Sequence, residues 1–187
     1  MFFKQCIKEL SKKNIIIDIG GGHPFQKEMK KYEKYFDNNY FTIDINLRFK
    51  PSIVADAHNL PFKSQSIPAI LCKALLEHVP EPHKVINEIS RVLENDGKGL
   101  FYFPFLYPYH AREKYYNDYF RFTKDGIKFL FRSFSQVEMM SVRGPFETII
   151  NFFPQYISKI LIFPSKILDK FKKHSNQVSG YFVYVKK

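Results

Sequence analysis

Tryptophan is absent from this chain, cysteine occurs twice, and glycine only eight times in 187 residues. Cys6 and Cys72 are too few for a disulfide framework or a cysteine-based metal cluster. Cys72 falls within an apolar, strand-like run and reads as a small core residue. No apolar run reaches bilayer-spanning length without a charge or a proline. The segment Met1 to Lys13 lacks the unbroken apolar core of a signal peptide, because Lys4, Lys8 and Glu9 interrupt it. It reads as a short amphipathic helix, and the cytoplasm is the expected compartment. Internal repeats and low-complexity linkers are missing too, so residues 1–187 read as one domain large enough to bury a core. Acidic residues are scarce, 18 against 29 Lys and Arg, for a net charge of +11. That surplus fits a nucleic-acid or anionic-membrane partner. It also fits a coding sequence rich in A and T, which raises Lys, Ile, Phe, Asn and Tyr together, so charge alone names no partner.

What is present begins with Asn14 to Pro24. Ile15, Ile16 and Ile17 form a β-branched run of the kind buried on both faces of a parallel sheet. Asp18 stands at its end, and Gly20, Gly21 and Gly22 follow, where glycine permits positive φ and close approach of a ligand. A helical pattern resumes near Pro24, which would bring that ligand to a helix N-terminus. Gln26 to Tyr35 continues as a polar helix. Further strands are expected at Tyr40–Ile45, Ser52–Ala55 and Ile67–Cys72, the last with Pro68 at its start because proline cannot join a central ladder. Pro82 to Leu93 is an amphipathic helix carrying Val85, Ile86, Ile89, Val92 and Leu93 on one face, closed by Asn95, Asp96 and Gly97. Leu100–Phe103 is a fifth strand, Thr123 an N-cap for a helix to about Phe131, and Gln136–Val142 and Gly180–Val185 the last two strands. Alternating strands and helices predict an α/β fold, a Rossmann-like, mostly parallel seven-stranded sheet with helices on both faces and the last strand antiparallel. In such sheets ligands lie outside the C-terminal strand ends. Gly20 to Gly22, Asp44, Asp56 and the residues from Lys73 onward all fall there.

Three segments carry a resemblance. Asp18-Ile19-Gly20-Gly21-Gly22 resembles the first motif of class I S-adenosylmethionine-dependent methyltransferases. Asp56-Ala57-His58-Asn59-Leu60-Pro61-Phe62 is similar to the adenine-binding segment of their small-molecule branch, and Leu75-Leu76-Glu77-His78-Val79 to the segment after strand four. The resemblance spans about Asn14 to Phe103. It implies S-adenosyl-L-methionine as cofactor, with Gly20, Gly21 and Gly22 at its amino-acid end and Asp18 holding its charged groups. It also implies Asp44 and Ile45 at the ribose, Asp56 and Ala57 at the adenine, and Lys73 beside them. Asp44 lies roughly twenty residues past the glycines, the offset of a ribose-binding acid. Two departures stand out: Pro24 occupies the place of a further family glycine, and Pro68 that of a common acidic residue. A nicotinamide fingerprint would need Gly-x-Gly-x-x-Gly, but Phe25 takes the last position, and Asp56 to Phe62 has no role in it.

The acceptor side is expected from residues 105–122, a substrate-side loop similar to a segment in bacterial methyltransferases of cell-surface glycan synthesis. There His110 is the candidate base, Asp118 its orienter, and Arg121 a binder of an anionic group or a brace. The competing account has Asp118 and Arg121 simply pairing to fix the loop, with His110 packed beside them. Tyr107, Tyr109 and Tyr115, with His78, are the candidate substrate contacts. No metal is demanded. The reading is methyl transfer to a small-molecule or glycan acceptor, with O-methylation as one form. A nucleic-acid methyltransferase and a non-catalytic binding relative are the alternatives, although no nucleic-acid-binding module is recognisable. Residues 146–175 are read as a helical insertion between the last two strands. Within it, Leu161 to Lys173 places Ile167, Leu168 and Phe171 near one face, ringed by Lys166, Lys170, Lys172 and Lys173. Packing of that helix over the sheet is the favoured expectation, and peripheral contact with an anionic bilayer through 161–173 is the alternative.

Overall fold

The computed structural model describes residues 2–25, 27–172 and 175–187. Strand β1, Ile16–Ile19, is buried at every position. It pairs in parallel with β2, Tyr40–Asp44, on one side and β4, Ile67–Lys73, on the other. The short β3, Ile53–Val54, extends the sheet beyond β2. β5, Leu93–Pro104, follows β4 in parallel. The order is β3-β2-β1-β4-β5-β7-β6, where β6 is Gln136–Val142 and β7, Gly180–Lys186, runs antiparallel between β5 and β6. The expected α/β sheet is therefore present, with its last strand reversed.

Successive side chains on a strand point to opposite faces, and the core divides accordingly. Ile70 and Cys72 of β4 join Ile17 and Ile19 beneath helix α2, Pro82–Val92, and helix α3, Lys124–Leu130. Ala69 and Leu71 join Ile16 on the other face, under helix α1, Phe2–Leu10, and a 3₁₀ helix, Lys27–Tyr35. Val85, Ile86, Ile89 and Val92 of α2 are all buried. Each such side chain contributes about 1.5–3 kcal/mol by leaving water. Thr123 caps α3 by accepting the Gly126 N–H at 3.1 Å.

Three expectations need correction. No helix begins at Pro24: Pro24 and Phe25 form a turn, Phe25 adopts φ 52°, and the helix that follows is 3₁₀ in type. The Phe25 ring stacks on Tyr40 with centroids 4.4 Å apart, which holds the chain in that turn. Gln26, the predicted start of that helix, lies outside the described residues. Asn95 to Gly97 do not close α2, because the chain enters β5 at Leu93. Pro68, by contrast, stands at the start of β4 as expected, where the ladder to β5 jumps from Ile67–Leu93 to Ala69–Lys98. The missing proline N–H falls at that irregularity, so no ladder bond is lost. Finally, the segment from Leu161 lies in helix α5, Gln155–Phe171, which runs through Pro164. α5 packs against α4, Pro145–Ile150, rather than over the sheet, and most of its apolar side chains face outward. Lys173, the end of the predicted basic segment, lies outside the described residues.

Candidate functional site

The C-terminal ends of β1, β2, β3 and β4 meet along one edge. Gly20 has φ 76° and Gly22 φ 57°, both left-handed. A Cβ at Gly20 would lie 3.0 Å from Leu75, and one at Gly21 would lie 2.8 Å from the Asp18 carboxylate and 2.9 Å from Thr42. Side chains are thus excluded from the inner side of this turn. Asp18 is buried beneath it and accepts a hydrogen bond from the Tyr40 hydroxyl. Burial raises its carboxyl to about 6, against the pull of Lys73 and the Tyr40 hydrogen bond. Asp18 therefore supports the turn from below.

Asp44 is half-buried at the end of β2, where Oδ1 accepts the Asn46 N–H at 2.9 Å. Burial pushes its carboxyl up. Ile45 and Leu47, next along the chain, are exposed apolar residues on the same edge. Asp56 accepts the backbone N–H and the ring Nδ1–H of His58, at 2.9 and 2.7 Å. Burial works against ionisation there, but these two bonds hold the carboxyl below its usual range. Ala57 is buried beside it. The segment is clamped from α2: Glu88 accepts the Leu60 N–H, and Arg91 donates to the carbonyls of Phe62 and Leu60. Lys73 ends β4, with its ammonium 5.7 Å from the Phe3 ring centroid.

Residues 105–122 fold back across this edge. Tyr119 N–H donates to the Glu77 carbonyl at 2.7 Å, and Phe122 N–H to that of Pro104 at 3.2 Å. Tyr115 stacks on Phe49, beyond β2, with centroids 5.4 Å apart. The loop therefore reaches from the end of β5 past β4 and β1. Arg121 grips both oxygens of Asp118 and donates to the carbonyls of Tyr107 and Pro108. The Arg121 hydrogen bond holds the Asp118 carboxyl down to about 2. Asp118 also accepts the His110 backbone N–H at 2.9 Å, and its Oδ2 lies 3.3 Å from His110 Nδ1. So the Asp118–Arg121 pair fixes the loop, and Asp118 still touches His110. Tyr107 meets the His110 ring edge-on at 5.2 Å, and Tyr109 is exposed.

The residue to which sequence reasoning gave no part of its own is Glu77. It is 0% exposed, and neither carboxylate oxygen has a hydrogen-bond partner among the described residues. The Nε2 atoms of His78 and His110 face its Oε1 at 3.8 and 3.7 Å. His78 Nδ1 donates to the Asn117 carbonyl at 2.5 Å, and His110 Nδ1 to that of Pro108 at 3.1 Å. The Asn117 carbonyl sets the His78 proton on Nδ1, and at His110 the Pro108 carbonyl and Asp118 Oδ2 outweigh Arg121 Nη2, 3.3 Å from the same Nδ1, so both Nε2 lone pairs turn inward. The three ligand atoms lie within 4.8 Å of one another. Three acceptors converging in this way need a proton or a cation among them. Burial raises the Glu77 carboxyl to about 8, so the proton is retained at neutral pH. Burial also lowers His78. A carboxylate set among Leu75, Leu76 and Val79 was the available signal in the sequence.

Residues 17–101 match the family model described as a methyltransferase domain. An uncharacterized protein of Methanocaldococcus jannaschii is 32% identical over 156 residues, covering 80% of this chain and 65% of that protein. Among solved structures, a SAM dependent methyltransferase from Archaeoglobus fulgidus aligns over 100% of this chain and 93% of its own, at 14% identity and TM-score 0.63. The phosphoethanolamine N-methyltransferase 2 of Haemonchus contortus, in complex with S-adenosyl-L-methionine, aligns over 99% of this chain and 52% of its own, at 14% identity and TM-score 0.61. The [4+2]-cyclase SpnF aligns over 100% and 80%, at 13% identity and TM-score 0.57. Residues 17–101 are thus similar to a methyltransferase domain, and the chain shares the fold of S-adenosylmethionine-dependent methyltransferases. It spans about two thirds of its curated relative's length, and SpnF shows that neighbours of one fold can carry different names for their chemistry.

The residues at these strand ends fit S-adenosyl-L-methionine, the cofactor of the neighbours that share the fold. The glycine turn offers backbone without side chains, Asp44 offers a carboxylate at the end of the neighbouring strand, and Ile45 offers an exposed apolar surface beside it. Asp56, at the next strand end, is ionised and fixed by His58.

Proposed function

We propose that this protein transfers a methyl group from S-adenosyl-L-methionine to a hydroxyl of a small-molecule or glycan acceptor bound under residues 105–122. The observation that carries the reading is the buried Glu77, faced by two imidazole Nε2 atoms at the strand edge. Such a cluster handles protons, and an oxygen acceptor is the case in which a proton must be removed. When bound, the cofactor supplies a methyl carbon made electrophilic by its sulfonium. Gly20, Gly21 and Gly22 admit its amino-acid end, Asp44 accepts from the ribose hydroxyls, Ile45 covers the ring system, and Asp56 with Ala57 meets the adenine edge.

His110 is the more exposed imidazole of the pair, with 28% of its side chain accessible against 10% for His78. It is the group an acceptor reaches. As the acceptor oxygen attacks, its proton passes to His110 Nε2. Asp118 and the Pro108 carbonyl hold Nδ1 in place. Glu77, when ionised, stabilises the imidazolium that forms. Arg121 positions the loop, and the exposed rings of Tyr107 and Tyr109 suit the apolar faces of a sugar. Burial under the loop also excludes water from the reacting atoms. The two buried free cysteines fit a reducing cytoplasm.

Calorimetry with S-adenosyl-L-methionine and with its demethylated product tests the cofactor half, and absence of binding to either by folded protein would sink it. His110→Ala tests the acceptor half. Turnover in a screen of hydroxylated acceptors should fall about a hundredfold or more, with cofactor affinity unchanged. Equal turnover would remove His110 from the chemistry.

A further inference from the structure

Helix α5 carries its polarity inside out. Asp169, Ser158 and Ser165 face the protein: Asp169 accepts the Phe146 and Glu147 N–H groups at 2.9 and 3.0 Å, capping α4. A Cβ at Gly144 would lie 2.2 Å from the Asp169 carboxyl carbon, so the bare glycine is what lets Asp169 reach. Ser158 donates to the Ile150 carbonyl at 2.9 Å, and buried Ser165 donates to that of Ile162. The opposite face is apolar. Tyr156, Ile160, Phe163, Ile167 and Phe171 recur every three or four residues, and Ile160, Phe163 and Phe171 are 73, 71 and 84% exposed. They form one stripe about 23 Å long. Leu161 and Leu168 border it, and Ile149 of α4 and Phe152 and Phe153 after it are exposed as well. Lys159, Lys166 and Lys170 form an exposed row about 80° round the helix from the stripe. None of them is ion-paired among the described residues.

A globular helix normally turns its stripe toward the core. Here the stripe faces solvent although the sheet lies next to it in sequence. The hairpin also leaves the sheet at a particular place. Val142 of β6 and Pro104 of β5 both pair with Gly180 of β7, so residues 143–179 depart from the edge that holds Gly20, Asp44 and Glu77.

We propose that α4 and α5 dock this protein onto an anionic lipid bilayer, with the apolar stripe at the acyl boundary and the lysine row at the headgroups. The charge pattern selects this occupant. A second copy meeting the same stripe would bring two lysine rows together, on chains that each carry +11. A bilayer needs no complementary shape and supplies the negative charge. The consequence is that the strand-end site opens toward the membrane surface. The docking itself does not depend on methyl transfer.

The test is co-sedimentation of the full chain with vesicles of equal parts phosphatidylcholine and phosphatidylglycerol, beside vesicles of phosphatidylcholine alone. Binding to the anionic vesicles should be at least tenfold tighter and should weaken tenfold or more on raising salt. Ile160→Glu with Phe163→Glu, and separately Lys159→Glu with Lys166→Glu, should each weaken it at least tenfold. Both pairs are exposed, and circular dichroism and thermal melting of the variants should match the parent. Failure to bind anionic vesicles at low salt would overturn the proposal, as would equal binding by the folded variants. Sedimentation velocity gives the other outcome: a dimer broken by Phe163→Glu, without vesicle binding, would assign the stripe to a second copy and refute the bilayer.

Discussion

Glu77→Gln replaces a wholly buried carboxyl with a neutral group of nearly the same shape, and the effect should depend on pH in one direction. The Glu77 carboxyl rises from 4.5 to about 8 in the folded protein, chiefly through burial. Between those values the folded chain keeps a proton that the unfolded chain has released. Stability owed to this group is therefore fully present below about pH 4.5 and is lost as pH rises through about 8. At about 1.4 kcal/mol per unit, the loss has a ceiling of roughly 5 kcal/mol, which water entry and relaxation would reduce. The glutamine amide is neutral throughout and can donate to the inward-facing Nε2 atoms, so the variant escapes the loss. Urea unfolding of both proteins from about pH 5 to pH 9 should show nearly equal stability at the acid end. Toward the alkaline end the variant should become the more stable, by an amount below that ceiling. Asp18, raised to about 6, also titrates in this range but is common to both proteins and cancels in the difference. Parallel profiles would mean that Glu77 is ionised in the folded state, and the proton-sharing cluster would have to be abandoned. The same cluster predicts that kcat/KM rises with pH as Glu77, whose carboxyl burial pushes up to about 8, gives up its proton.

Asp44→Ala should weaken S-adenosyl-L-methionine binding about tenfold or more in calorimetry, since hydrogen bonds to an ionised group are lost. An unchanged dissociation constant would place the ribose elsewhere. Phe131→Ala should cost roughly 3–5 kcal/mol in urea unfolding. Its ring is fully buried, with centroids 4.7, 5.8 and 5.2 Å from those of Phe101, Phe103 and Phe134. A loss far below that range would show that this corner of the core repacks freely.

Most of the sheet is legible in the chain because its signals are local. The isoleucine run before Gly20, the apolar run of β4 and the spacing of Val85, Ile86, Ile89 and Val92 each declare an element through neighbours a few residues away. Where local signals failed, a distant contact had decided. Stacking of Phe25 on Tyr40 set the turn at Pro24. Pairing of Leu93 with Ile67 drew residues after α2 into a strand. Asp169, reaching back to α4, fixed which side of α5 faces the protein. Periodicity reports that a helix has two faces, but not which one meets the rest of the molecule.

The same division runs through the candidate site. The sequence by itself determined that Gly20 to Gly22, Asp44 and Asp56 stand at strand ends, because strand order and glycine punctuation are written along the chain. Only the tertiary structure decided that Asp18 supports the turn from beneath through Tyr40, and that Asp118 is held chiefly by Arg121. Likewise, only folding brought Glu77 under two imidazoles that are 32 residues apart in sequence. A carboxylate's chemistry is set by what surrounds it in space, above all by how much water and which charges reach it, and the order of residues does not carry that information.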